Sequence, residues 1–258
     1  MTVSFDLTGR TALITGAGQG VGAGIAATLA AAGAKVYVND LVPARAAAAA
    51  DELIAVGGAA EPLAFDVTDH EAVVGALQRV GGVDILVNNA GNAGGDGWPG
   101  MVPFVQTAPS EWAPFLQVNL FGVMHCVHSA LPYMIERRWG RIITIMSDAG
   151  RVGEPNMAAY AAAKAGAAAL TRSVAHEVGR YGITANNIAL GTMRTPLSEA
   201  RWATITPEES KVVLQRYLVR RPGNPDDVAG LALFLASGAG EWVTAQTYPV
   251  NGGYSVAL

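Results

Sequence analysis

Thr15-Gly16-Ala17-Gly18-Gln19-Gly20-Val21-Gly22 closes the β-branched run TALIT (11–15) and leads directly into an Ala-rich stretch over 20–32. Glycines at alternate positions allow a tight turn and let a backbone approach a pyrophosphate closely. A helix starting there offers unpaired N–H groups and a partial positive charge to an anion. Gly-rich strings are common in turns. This one sits between a strand and a helix in the first βα unit, which is the setting a dinucleotide site requires.

The same alternation continues outward. KVYVN (35–39), EPLAF (61–65), DILVN (84–88), RIITIM (141–146), TANNIAL (184–190) and QTYPV (246–250) read as further strands. The spacing predicts helices over 20–32, 44–56, 69–80, 111–138, 158–181 and 225–237. Strands joined by helices about a dozen residues long imply parallel crossovers. Near-continuous apolar strands imply burial on both faces. The expected fold is α/β, a Rossmann-like doubly wound parallel seven-stranded sheet with helices on both faces. Thr68 with Glu71, and Ser110 before Glu111, have the spacing of helix caps. No linker or repeat divides residues 1–258, so a single domain is expected. Two segments resist a regular reading: 92–101 (NAGGDGWPGM) and about 192–216, the second read as a substrate loop. Both follow strand carboxyl ends, where open α/β sheets bind ligands.

The chain has 258 residues and a net charge of -4, and its sequence pI is near 5.6. Mild acidity argues against a nucleic-acid surface. No uninterrupted apolar window of about 18 residues suggests a membrane span, and the start lacks the pattern of a secretory signal. The lone Cys126 fits a reducing compartment, with cytoplasm as the default, and reads as an inert helix residue. His70, His125, His128 and His176 form no Cys/His ligand cluster, so no metal is expected.

The second strand ends in Asn39-Asp40. An acid there accepts hydrogen bonds from an adenosine ribose and repels a 2′-phosphate. Two unit charges about 4 Å apart at an effective dielectric of 20 interact by about 4 kcal/mol. No Arg or Lys adjoins Asp40, and Arg45, the nearest base, belongs to the following helix. NAD is therefore expected over NADP. Tyr160-Ala-Ala-Ala-Lys164 places a phenol and an ammonium on one helix face. A fixed neighbouring ammonium favours the phenolate, and such a pair can give a proton to a carbonyl or take one from an alcohol. A surface pair is the common explanation of that spacing taken alone.

With Ser147 ending the fifth strand, Asn88-Asn89-Ala90-Gly91 ending the fourth, Asn119, Asp66-Val67 and Val250-Asn251-Gly252-Gly253, the chain resembles the short-chain dehydrogenase/reductase family over nearly its whole length. The resemblance implies Tyr160 as general acid/base. Lys164 would lower the Tyr160 pKa and hold the nicotinamide ribose. Ser147 would bind the substrate oxygen, and Asn119 would hold a relay water. It implies a cofactor site of Gly16, Gly18, Gln19, Gly20, Val21, Gly22, Asp40, Asp66, Val67, Asn89, Ala90, Gly91, Gly191, Thr192 and Thr195, with Tyr160 and Lys164. Gly22 would help helix packing, Asn89 would brace the sheet, and Thr195 would bond the carboxamide. Two departures stand out. Leu190 precedes Gly191 where the family usually has proline, which frees one dihedral. Asp148 follows Ser147 and could face either the substrate or solvent.

The resemblance also implies interconversion of an alcohol and its carbonyl compound. The NAD preference points to oxidation of a secondary alcohol, and the apolar residues of the two irregular segments suit an apolar body such as an acyl thioester, a cyclic alcohol or a steroid-like ring. The alternative is an NADPH-dependent 3-oxoacyl-thioester reductase. A non-catalytic NAD(H) sensor would be expected to lose Ser147, Tyr160 or Lys164, and an enoyl reductase to space Tyr and Lys more widely. Trp98, Met101, Phe104, Met193 and Trp202 are candidate pocket walls. A homotetramer is expected, joined through 111–138, 158–181 and the C-terminal segment.

Overall fold

In the computed structural model, which describes residues 4–93 and 102–256, the chain enters its sheet through β1 (Thr11–Ile14) and turns into α1 (Gly20–Ala31). β2 (Lys35–Val38), α2 (Pro43–Ala55), β3 (Ala59–Pro62), α3 (His70–Val80) and β4 (Ile85–Asn88) follow. Then come α4 (Ala113–Leu116), a π turn at Gln117–Phe121, α5 (Gly122–Arg137), β5 (Gly140–Ser147), α6 (Ala149–Val152) and α7 (Ala158–Val178). β6 (Ile183–Leu190), α8 (Pro196–Thr204), α9 (Pro207–Leu214), α10 (Pro225–Ala236) and β7 (Thr247–Val250) complete the order.

All seven strands are parallel neighbours in the order β3-β2-β1-β4-β5-β6-β7, the doubly wound sheet expected from the sequence. Alternate side chains leave a strand on opposite faces. Along β1, Ala12 and Ile14 therefore enter one core with Ile25 and Leu29 of α1 and Val228 and Leu235 of α10. Leu13 enters the other, with Leu77 of α3, Val127 and Met134 of α5 and Val174 of α7. The chain reverses its direction of growth between β1 and β4. That places a crevice at their carboxyl ends.

Local boundaries differ from the expectations where side chains compete. β3 occupies Ala59–Pro62, not 61–65: after the Leu63 N–H reaches the Val38 carbonyl at 2.9 Å, the Asn39 side chain takes the Leu63 and Phe65 carbonyls in place of a β2 backbone partner. The cap of α3 is Asp69, whose Oδ1 accepts the Ala72 N–H at 3.1 Å, while Thr68 donates its own N–H to Asp66. Ser110 lies in a 3-10 turn, and Glu111 folds back to accept the Ala108 N–H at 2.6 Å. The 192–216 segment is largely helical. Thr206 and Glu209 cap α9 reciprocally, with Pro207 at its first position.

By length and composition the run Pro109–Arg137 could cross a membrane, with a mean hydropathy of 1.2 over its most apolar window. In this fold its Val123, Cys126, Val127 and Met134 are buried against the sheet instead. Burial also pushes the Cys126 thiol up to about 12, leaving it an unreactive packing group.

Two glycine substitutions separate packing from backbone entropy. A Cβ at Gly22 would stand 2.6 Å from the Gly16 carbonyl oxygen and 2.9 Å from Ala17 Cα, backbone atoms that cannot step aside. Gly22→Ala is expected to lower unfolding stability by about 1–3 kcal/mol. At Gly75, exposed on α3, a Cβ meets nothing within 4 Å. Gly75→Ala is expected to raise stability by about 0.5–1 kcal/mol. Denaturant unfolding of both variants checks the pair, and equal effects would contradict the close approach at Gly22.

Candidate active site

The crevice is held by side chains that join the two strand ends. Thr15 Oγ1 accepts the N–H groups of Asn89 and Ala90, both at 3.0 Å, and Asn89 Nδ2 donates to the carbonyls of Thr15 (2.9 Å) and Gly16 (3.0 Å). Gly16 takes a φ of +63°, and a Cβ there would stand 2.9 Å from Ala90 Cα. Gln19 begins α1 without any side-chain cap, and its first turn carries no acid. Its open N–H groups therefore face the crevice free to take an anion.

A cavity of ≈ 670 Å³ opens there. Of the residues expected at the site, Gly16, Gln19, Gly20, Val21, Asp40, Asp66, Val67, Asn89, Ala90, Gly91, Ser147, Tyr160, Lys164, Gly191 and Thr195 line it. Gly18, Gly22, Asn119 and Thr192 are not among its lining residues. The glycine cradle, the uncapped helix end and the acid at the β2 end fit a dinucleotide. Residues that line the cavity beyond those expected include Leu41, Arg45, Phe65, Asn92, Val118 and Ile145.

One expectation about this rim is overturned. Arg45 does adjoin Asp40: its Nε and Nη2 donate to Asp40 Oδ1 at 3.0 and 2.7 Å. The first turn of α2 folds Arg45 back over the β2 end. The Val42 N–H also reaches Oδ1, at 2.9 Å. No described donor reaches Oδ2, which lies only 2.5 Å from where a Gly18 Cβ would be. Gly18 is thus required by the acid it faces.

At the other end, β5 presents Ser147 and α7 presents Tyr160 and Lys164. Burial raises the Tyr160 phenol above its ordinary 10, and the hydrogen bond with Ser147 opposes that rise. Burial pulls Lys164 down to about 8. Its ammonium donates to the Ile145 carbonyl at 3.0 Å. The resemblance implied an ammonium that lowers the phenol. In this structure desolvation dominates and moves the phenol the other way. Asn119 is fully buried in the π turn and clamps Asn92, donating to its carbonyl (3.0 Å) and accepting its N–H (3.2 Å). Between them lies Gly91, where a Cβ would stand 2.8 Å from Asn119 Oδ1 and 3.0 Å from Lys164 Nζ.

A smaller pocket adjoins Tyr160, walled by Phe104, Trp112, Phe115 and Met157. The Phe104 and Trp112 rings stack with centroids 5.2 Å apart. Trp98 and Met101 lie outside the described residues. Met193 lines the larger cavity, and Trp202 lines neither. Trp112 and Phe115 escaped notice because they sit in a helical run whose apolar residues read as core. Asp148 faces neither substrate nor solvent. It is buried, accepting from Arg151 (2.7 Å), Asn251 (2.5 Å) and Ser255 (3.0 Å), and ties the β5 end to the C-terminal segment. The His70 ring lies 5.1 Å from His125 and 5.5 Å from His128. Among the described residues no three His, Cys, Asp or Glu side chains converge as a metal site.

A family model described as short chain dehydrogenase matches residues 10–206. The 7alpha-hydroxysteroid dehydrogenase of Escherichia coli is 38% identical over 96% of this chain and 94% of its own length. A crystal structure of gluconate 5-dehydrogenase from Burkholderia cenocepacia in complex with NADP and tartrate superposes with a TM-score of 0.89 at 38% identity, covering 98% of each chain. A 7alpha-hydroxysteroid dehydrogenase complexed with NADH and 7-oxo glycochenodeoxycholic acid superposes at 0.88 with 37% identity, again over 98% of each chain.

Lys164 gives a test that needs no substrate. Its folded pKa, about 8, lies below the ordinary 10.5. Between those values the unfolded chain holds a proton that the folded chain lacks, so stability rises with pH across that window. Below about pH 8 the folded protein carries the full cost of a buried ammonium. Lys164→Met is therefore expected to be more stable than the parent at pH 7, by on the order of 2 kcal/mol. The gap should shrink towards pH 10. Thermal unfolding across pH 6–10 checks this, and a variant less stable at pH 7 would refute it.

Proposed function

The chain belongs to the short-chain dehydrogenase family of oxidoreductases that act on CH–OH groups with a nicotinamide cofactor, and on that premise we propose that it interconverts a secondary alcohol of apolar body and its ketone using NAD. The carrying observation is the meeting of Ser147, Tyr160 and Lys164 where the large cavity joins the aromatic pocket. NAD, when bound, supplies the hydride acceptor. The chain's own residues handle the proton. Tyr160 takes it from the alcohol, or returns it to the carbonyl oxygen, with Ser147 hydrogen-bonding the same oxygen. Lys164 holds a positive charge beside the path, which favours the phenolate form. Phe104, Trp112, Phe115 and Met157 exclude water and favour a ring or chain over a polyol.

For the cofactor, Asp40 Oδ2 has no described donor and can accept a ribose hydroxyl. This supports NAD. A second reading, NADP with a reductive role, is favoured by Arg45, whose side chain is 43% exposed at the same rim. We place the protein in the cytoplasm on its single buried thiol. We assign it a homotetramer in which second copies cover surfaces such as Phe121 and Met124, both exposed beside and on α5. Sedimentation at micromolar concentration showing monomer alone would refute that assembly.

Screening cyclic, steroid-like, acyl-thioester and polyol alcohols with NAD by reduced-nicotinamide absorbance tests the reaction. Turnover is expected on the apolar alcohols, with NADH binding about tenfold more tightly than NADPH. Tyr160→Phe should lose at least about 100-fold in kcat while still binding NADH. Turnover confined to polyols would overturn the apolar assignment, and tighter NADPH binding would overturn the Asp40 argument.

A further inference from the structure

We propose that Tyr217 is a positioning residue for the nicotinamide end of the cofactor, coupling helix α9 to the turn Gly191–Thr192. The proposal rests on the cofactor site described above. The reacting end of the cavity lies at Ser147 and Tyr160, because the proton is moved there. Leu190 at the end of β6 pairs in register with Ser147, so the next residues, Gly191 and Thr192, border that end. Gly191, Met193 and Thr195 line the cavity. Thr192 and Arg194, which lie between them, do not, and Tyr217 accounts for where the polar groups of Thr192 go.

The Tyr217 hydroxyl donates to Thr192 Oγ1 at 2.7 Å and accepts the Thr192 N–H at 3.1 Å. Both partners belong to one residue, so the phenol fixes its backbone and its rotamer together. The Thr192 carbonyl accepts the Gly223 N–H at 3.0 Å, which ties the remaining polar group. The Tyr217 ring also walls Gly191. A Cβ there would come within 3.1 Å of Tyr217 Cε1 and 3.1 Å of Asn251 Cα. Tyr217 is only 6% exposed. Its ring lies 5.1 Å from Tyr254, and Val219 donates its N–H to the Gly252 carbonyl at 2.8 Å.

The covalent route matters as much as the contacts. α9 ends at Leu214, and the Tyr217 N–H bonds back to the Leu214 carbonyl at 3.0 Å. A rigid step of three residues therefore joins that helix to the phenol. Any shift of α9 moves the hydroxyl that sets Thr192. The ring alone would fill the same space in a purely structural role. The hydroxyl is what links the two segments, so removing it separates the two roles.

The test compares two ligands on the full chain by calorimetry: NADH, and ADP-ribose, which lacks the nicotinamide. Tyr217→Phe is expected to weaken NADH about tenfold and to leave ADP-ribose within about twofold. Thr192→Val should give the same pattern, and the double variant should add less than twofold to either single loss. An unchanged NADH affinity overturns the proposal. So does equal weakening of both ligands, which would mark a general structural role. If the parent protein binds neither ligand, the cofactor site itself fails and the proposal falls with it, an outcome distinct from a silent Tyr217.

Discussion

The structure depends on one close approach, that of the carboxyl ends of β1 and β4, residues far apart in the chain and neighbours in the sheet. Thr15 and Asn89 exchange their polar groups across the gap, so the Asn89 and Ala90 N–H groups and the Thr15 and Gly16 carbonyls find partners there. Side chains at Gly16 or Gly22 would push the loops apart. Because they stay together, the open end of α1 is held under the cavity. The β4 loop is in turn carried on to Asn92, where Asn119 clamps it. The two ends of the cavity are thus joined through the β4 loop, held at Asn89–Ala90 by Thr15 and at Asn92 by Asn119 in the π turn.

That arrangement has a thermodynamic cost at its catalytic end. Burial moves Tyr160 up and Lys164 down, so it favours the neutral form of both groups. The pair to which we assign proton transfer is shifted by burial, and its ammonium bonds the Ile145 carbonyl. A positive charge placed in the cavity lowers the phenol and lowers the ammonium further. The same burial that destabilises Lys164 excludes water from the proton path. Stability and chemistry pull against each other at this residue, as they do where a site needs a charge in a dry place.

Much of this was legible in the sequence because the deciding signals are local. The seven strands are short apolar runs, and the glycines lie within eight residues of one another. The losses have particular causes. The Asn39 side chain takes the Leu63 and Phe65 carbonyls where the strand was expected to run on, and Asp69 outcompeted Thr68 as a cap. Thr206-Pro207-Glu208-Glu209 is a complete helix-start signal within 192–216, so α9 is legible in the sequence. Asp148 was not available. Its partners, Asn251 and Ser255, are over a hundred positions away, and no local pattern announces them. Trp112 and Phe115 face the pocket from a run whose apolar residues are mostly core, so their type carried no signal of their direction.

Arg45 shows the same limit in its sharpest form, because the error was one of chemistry and not of placement. The sequence put Arg45 on the following helix, correctly, and concluded that Asp40 stood without a cation. Helix α2 begins at Pro43, so residue 45 lies in its first turn and can fold back across the strand end. The ion pair leaves Asp40 with one carboxylate oxygen holding three donors and one holding none. The free oxygen still suits a ribose hydroxyl. The guanidinium beside it reduces the repulsion that a 2′-phosphate would meet, though exposure to solvent weakens that effect. Cofactor choice is a difference between two affinities. Here the acid raises that difference and its own partner lowers it, so the margin is narrower than a lone Asp40 would set.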